Sequence, residues 1–156
     1  MADQDSQYFS KEGLDKLKSD LEFLKTKKRK EIADRLEFAK SLGDLSENSE
    51  YSEAKESQML NESKIAEYED LLRRAVIVKH DAAGGKIDIG STVVVEDDNR
   101  KRLTLTIVGS QEASPVDNKI SNESPLGRAL LDRKKFEEVK AFTPGGEKKY
   151  KIIDIM

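Results

Sequence analysis

Between Lys11 and Lys79 the chain carries no proline, and glycine occurs only at Gly13 and Gly43, whereas residues 84–156 hold the other seven glycines and all three prolines. A stretch this long without a breaker reads as helix, and its apolar positions repeat accordingly. Leu14, Leu17, Leu21 and Leu24 follow a 3-4 spacing, which Ile32, Leu36 and Ala39 resume after two steps of four through Lys28. That is a coiled-coil seam interrupted by a stutter. A second seam runs Tyr51, Ala54, Gln58, Asn61, Ile65, Tyr68, Leu72 and Ala75, and Gly43 is the only breaker between the two. Two helices therefore fold back antiparallel about Asp44 and Leu45, with Leu14 facing Ala75, Leu17 Leu72, Leu21 Tyr68, Leu24 Ile65, and Lys28 meeting Asn61. The base of such a hairpin is apolar and its middle polar, so its stability is expected near the base. A first helix from Lys11 to Leu42 would run roughly 48 Å, longer than covering a small domain requires.

The remainder changes character. The segment His80-Asp81-Ala82-Ala83-Gly84-Gly85 is small, polar and ends in a glycine pair, so the chain divides into a hairpin at 1–79, a linker at 80–85 and a second module at 86–156. In that module Ile87-Asp88-Ile89 with Thr92–Val95 reads as an opening strand and Leu103–Val108 as its antiparallel return across a turn at Asp98-Asn99-Arg100. Residues 138–142 and 149–155 make a second hairpin around Thr143-Pro144-Gly145-Gly146, and a short helix beginning at Pro125 puts Leu126, Ala129, Leu130 and Leu131 over one sheet face. The fold class is α+β: an antiparallel coiled-coil hairpin followed by a small antiparallel sheet domain with a short helix. A composition of 36% hydrophobic and 38% charged residues is too polar for one compact core of 156 residues and agrees with an elongated part.

Charge and cysteine content exclude several functions. A net charge of −3 argues against a dedicated duplex or RNA binder, and residues 80–156 balance 13 cations against 13 acids, so the second module has no field to steer nucleic acid. Without cysteine there is no disulfide, thiolate nucleophile or zinc finger. No leader-like pattern or membrane-length apolar run is present, and the expectation is a soluble cytoplasmic protein with no membrane partner.

Along the hairpin the charge is sorted. Residues 25–30, KTKKRK, are five cations in six, whereas residues 41–70 carry nine acids against Lys55 and Lys64. The basic run reads as a solvated face that relieves the acidic partner helix. The bend itself, Gly43-Asp44-Leu45-Ser46-Glu47-Asn48-Ser49-Glu50-Tyr51, admits two readings. In the structural one, Gly43 ends the first helix, Asp44 N-caps the second and Glu47 completes a variant capping box. In the chemical one, Asp44 and Glu47 offer two hard oxygen ligands to Mg²⁺ at an exposed tip, an incomplete set that another macromolecule's ligands would close.

The string GDLSENSEY, followed by Ser52-Glu53-Ala54-Lys55-Glu56, closely resembles the tip of the bacterial Gre transcript cleavage factors, and Leu45 makes it GreA-like. The resemblance extends over the whole chain through Ser124-Pro125-Leu126-Gly127-Arg128-Ala129-Leu130-Leu131 and Thr143-Pro144-Gly145-Gly146-Glu147. Ser49 and Ser52 depart from the residues common in that family, alanine and histidine, and neither departure touches the acid pair. The resemblance implies an FKBP-like second domain and a monomeric transcription elongation factor whose partners are bacterial RNA polymerase and the 3′ end of backtracked nascent RNA. It implies a tip that enters the polymerase secondary channel, where Asp44 and Glu47 help retain a Mg²⁺ shared with the polymerase and stimulate the polymerase's own RNA cleavage. It also implies RNA contacts at Lys40 and Lys55, which could equally just offset nearby acids, and polymerase docking through Glu123, Ser124 and Pro125, whose plain alternative is a capped helix start.

Three rivals stand beside it. An FKBP-type isomerase or chaperone needs an aromatic-lined pocket, and this half offers only Phe136, Phe142 and Tyr150. An inhibitory Gre-like paralogue would plug the same channel, and a structural coiled-coil adaptor would not require acids at the bend. His80, the sole imidazole, has no carboxylate or serine partner at motif spacing and is expected in solvent.

Overall fold

The computed structural model describes residues 5–81 and 83–156, so Ala82 of the expected linker lies outside it. Contacts divide the chain into two compact units, one formed by Leu14–Arg74 and the other by the described residues up to Gly13 together with Ala75–Met156. The boundaries thus fall inside the segment read as hairpin, because both of its ends pair as strands. β1 (Gln7–Phe9) and β2 (Ala75–Ile77) run parallel, Tyr8 opposite Val76. Ala75, expected in the second seam, is therefore already strand.

The helical unit contains most of α1 (Lys11–Phe23), a π-helical turn at Leu24–Lys28, α2 (Arg29–Ser41) and α3 (Ser49–Arg74). The stutter in the first seam becomes that π turn. An extra residue per turn rotates the helix so that Leu14, Leu17 and Leu21 before it, and Ile32, Leu36 and Ala39 after it, all face the partner and are buried. Widening a helix frees a carbonyl from its regular partner, and the Asn61 side chain donates to Leu24 O at 3.1 Å. Asn61 is buried for this reason, and it meets Leu24, one turn from the expected Lys28. Two further expectations are corrected. Gln58 is exposed while Ser57 takes the inward position, and Leu71 is the more deeply buried of the leucine pair at 71–72. The far half is not merely polar, since Ile32, Leu36 and the fully buried Ala54 form an apolar cluster against which Tyr51 packs. Burying each large side chain there contributes about 1.5–3 kcal/mol, so stability is spread along the hairpin.

Across the seam the charges pair. Arg29 reaches Glu62 through two bonds of 2.8 Å, Lys25 pairs with Glu69, and Arg35 lies 3.8 Å from Glu53. The hydrogen bond to Arg29 holds the Glu62 carboxyl below its ordinary range, and the same bond raises the Arg29 guanidinium. Part of the KTKKRK run does face the acidic helix.

The other unit is built on a five-stranded sheet ordered β5-β4-β3-β7-β6: β3 (Thr92–Asp97), β4 (Arg102–Val108), β5 (Lys119–Ser121), β6 (Glu138–Thr143) and β7 (Gly146–Ile155). β5 joins β4 in parallel, so the sheet is mixed. Alternation sends Val93, Val95, Leu105, Ile107, Val139, Ala141, Tyr150 and Ile152 to one face. α4 (Pro125–Leu130) covers that face with Leu130. Ile87 is fully buried in the same core without forming a strand, held by backbone bonds to Asp132 and Arg133. Of the three aromatics weighed for an isomerase pocket, Phe136 and Phe142 are on the surface and Tyr150 is in the core.

Ser10 and Glu112 fix the start of α1 within this unit. Glu112, from a 3₁₀ turn at Ser110–Glu112, accepts from Ser10 N at 2.7 Å and from Ser10 Oγ at 2.5 Å, and Ser10 Oγ accepts from Gly13 N. A side chain at residue 13 would overlap the Glu112 carboxylate, which explains the lone glycine in an otherwise helical run. Glu112→Ala leaves the Ser10 donors without their charged acceptor, and hydrogen bonds of this kind contribute roughly 1.5–3 kcal/mol. Urea unfolding should show a loss of that order, with Glu112→Gln in between.

Candidate functional site

At the bend, α2 ends with Leu42 N donating to Ala39 O, and Gly43 takes a φ of +118°, which reverses the chain. Asp44 follows, but it does not cap α3. Its Oδ1 accepts from Ser46 N at 3.0 Å and from Ser46 Oγ at 2.9 Å, a local Asx turn. The cap is Asn48, whose Oδ1 accepts from Tyr51 N at 3.1 Å while its backbone carbonyl accepts from Ser52 N. The capping-box reading of Asp44 and Glu47 is thus replaced, because the chain needs four residues beyond Gly43 to complete its reversal before α3 can begin.

Neither acid therefore serves as a helix cap. Asp44 and Glu47 are exposed, and Glu47 makes no hydrogen bond or ion pair among the described residues. The Ser46 amide, and after it the Ser46 hydroxyl, hold the Asp44 carboxyl below its ordinary range. Both bonds fall on Oδ1, which leaves Oδ2 for a ligand. Carboxylate oxygens suit Mg²⁺, but among the described residues no three metal-ligating side chains cluster. The donor set fits a partial share in a magnesium shell.

The remaining sequence candidates fall in different places. Lys40 is exposed near the end of α2, and Lys55 lies on α3 with Nζ 3.4 Å from Gln58 Oε1 and 5.8 Å from the centre of the Tyr51 ring. Leu45, Tyr51, Lys55 and Met59 line an open groove along the same side of α3. In the other unit Ser124 caps α4, accepting from Gly127 N at 3.0 Å and donating to Ser121 O, with Pro125 at the first helical position. Glu123 accepts from Ser110 Oγ at 2.6 Å and remains exposed, as does Pro125. The plain reading of a capped helix start therefore holds, with two of its three residues presented to solvent.

His80 is exposed, as expected, but it has a carboxylate partner. Its Nδ1 lies 2.5 Å from Asp88 Oδ1, and Asp88 also accepts from Asp81 N and Ser91 Oγ. Burial pushes the Asp88 carboxyl up, but the Ser91 hydroxyl, the Asp81 amide and His80 outweigh it, so it sits below the ordinary range. The partner is eight residues away across a loop, a spacing that carries no motif. Asn48 and Ser46 were the other residues missed. An Asn three residues before an amide that needs an acceptor was the available signal, masked by Asp44, which has the same capping chemistry.

The sequence profile described as "Transcription elongation factor, N-terminal" matches residues 7–77, and that described as "Transcription elongation factor, GreA/GreB, C-term" matches residues 82–156. The chain belongs to the GreA/GreB family of transcription elongation factors. Within that family it is GreA-like: it is 47% identical to the transcription elongation factor GreA of Bacillus subtilis, with 92% of each chain covered. It is 44% identical to that of Geobacillus kaustophilus, with 99% of each covered. Among solved structures, GreA factor homolog 1 of Thermus thermophilus aligns at a TM-score of 0.43 and 29% identity, covering 97% of this chain and 99% of that one. No helix among the described residues is long and apolar enough to cross a membrane.

Ser46→Ala removes one of the two donors to Asp44 and keeps the amide. In an NMR titration the Asp44 carboxyl should move part of the way back up toward the ordinary range. Because its folded value is depressed, whatever this turn contributes to the bend is complete above the ordinary range and lost as pH falls through the depressed one.

Proposed function

We propose that this factor binds bacterial RNA polymerase, places its hairpin tip in the secondary channel of a backtracked complex, and stimulates the polymerase's own Mg²⁺-dependent cleavage of the nascent RNA. The observation that supports this reading is the pair of exposed carboxylates at the bend, neither of which serves the fold as a helix cap. A bound Mg²⁺ in such a site supplies a water of lowered pKa and charge stabilisation for in-line displacement. The chain's own part is narrower. Asp44, oriented by Ser46, and Glu47 supply oxygens that complete a shell whose other ligands belong to the polymerase, and neither acid alone constitutes a nuclease. Lys40 and Lys55 flank the tip as point charges for RNA phosphates. Glu123 and Pro125, exposed at the start of α4, serve as the docking edge with Ser124 holding their loop.

The assay is RNA shortening in a stalled, backtracked elongation complex with Mg²⁺. Asp44→Asn or Glu47→Gln should lower the stimulated rate by about a hundredfold or more, with the concentration of factor needed for half-maximal effect nearly unchanged. An undiminished rate in both variants overturns the reading. In the same assay Glu123→Lys should raise the factor concentration required, leaving the maximal rate intact; the reverse pattern would remove the docking assignment.

A further inference from the structure

We infer that Asn48 is a positioning residue for the tip: its single carboxamide fixes the geometry in which the segment bearing Asp44 and Glu47 leaves the two helices. The inference rests on the function proposed above for those acids. Nδ2 of Asn48 donates to Ala39 O at 2.6 Å, nine residues back on α2, while Oδ1 accepts from Tyr51 N on α3 at 3.1 Å. One planar group thus joins the last turn of the incoming helix to the first turn of the outgoing one. The Ala39 carbonyl also accepts from Leu42 N, so both of its lone pairs are used. Ala39 itself is buried at 1% exposure, which makes it a fixed anchor.

Among the described residues the other side-chain hydrogen bonds between the arms lie farther from the bend, at Arg35 to Ser57, Arg29 to Glu62 and Asn61 to Leu24. Within residues 43–47 the side-chain bonds are the local ones from Ser46 to Asp44, and a Cβ built on Gly43 would meet nothing within 4 Å. The loop therefore takes its orientation from its two ends, and Asn48 ties those ends together one residue after Glu47. The donor and acceptor pattern demands an amide. Serine caps α3 but lacks the second arm that reaches Ala39 O. Aspartate caps α3 and sets a carboxylate against that carbonyl.

The test uses full-length protein in the backtracked-complex assay, with Asn48→Ser, Asn48→Asp and the wild type compared over a range of factor and Mg²⁺ concentrations. Serine is nearly as good a cap as asparagine, so the helix content and melting temperature of Asn48→Ser should stay close to wild type. Its maximal cleavage rate should fall about tenfold and the Mg²⁺ needed for half-maximal rate should rise, with the factor concentration required unchanged. Asn48→Asp should be slower still. A wild-type maximal rate in Asn48→Ser overturns the inference, as does a loss that tracks melting temperature or the factor requirement, which would mark a folding or docking effect. Amide hydrogen exchange at residues 44–48 separates this outcome from failure of the proposed function. If the wild type gives no cleavage, faster exchange in Asn48→Ser still supports the tie, and unchanged exchange overturns it.

Discussion

Folding a helix back on itself leaves the last carbonyls of one arm and the first amides of the other without partners. In this protein a single carboxamide answers both needs, because Asn48 serves the Ala39 carbonyl and the Tyr51 amide together. The chemical freedom of the bend depends on it. Had Asp44 been the cap, its carboxylate would have turned to the first amides of α3; instead it bonds locally to Ser46 through Oδ1 alone.

Electrostatics of the hairpin follow from the same division of labour. Nine acids against two lysines over residues 41–70 set up a repulsion that an isolated helix would feel at every adjacent pair. Arg29, Lys25 and Arg35 offset part of it across the seam, at Glu62, Glu69 and Glu53. Among the described residues no such partner reaches Asp44 or Glu47, so their negative charge is not offset. The far apolar cluster of Ile32, Leu36 and Ala54 gives the adjoining helices the stability that the bend itself does not provide.

What the sequence disclosed and what it hid have a common cause. The helical arms, the reversal at Gly43, the β6-β7 hairpin and the leucines of α4 are local patterns, with periods of a few residues or a turn of two, and they were readable. β1 and β2 are three residues each and lie 68 positions apart, so their pairing leaves no periodic trace. β5 is equally short and needs β4 already in place. Ile87 is buried by contacts with Asp132 and Arg133 and not by strand alternation. At the bend, the reversal read at Gly43 put Asp44 and Glu47 in the turn, where both are exposed. Which of two capping-competent residues held the helix depended on where the reversal finished, a matter of backbone path that composition does not encode.

The wide turn at Leu24–Lys28 carries a consequence of its own. With the Asn61 amide seated on the Leu24 carbonyl, the two arms are indexed to each other by a pin midway along their length. Sliding one arm by a heptad would leave that peg in an apolar slot and its socket empty. The distance from pin to tip is therefore a built-in gauge. Any lineage that lengthens one arm beyond the pin must add matching turns to the other, or give up the register that sets how far the finger extends.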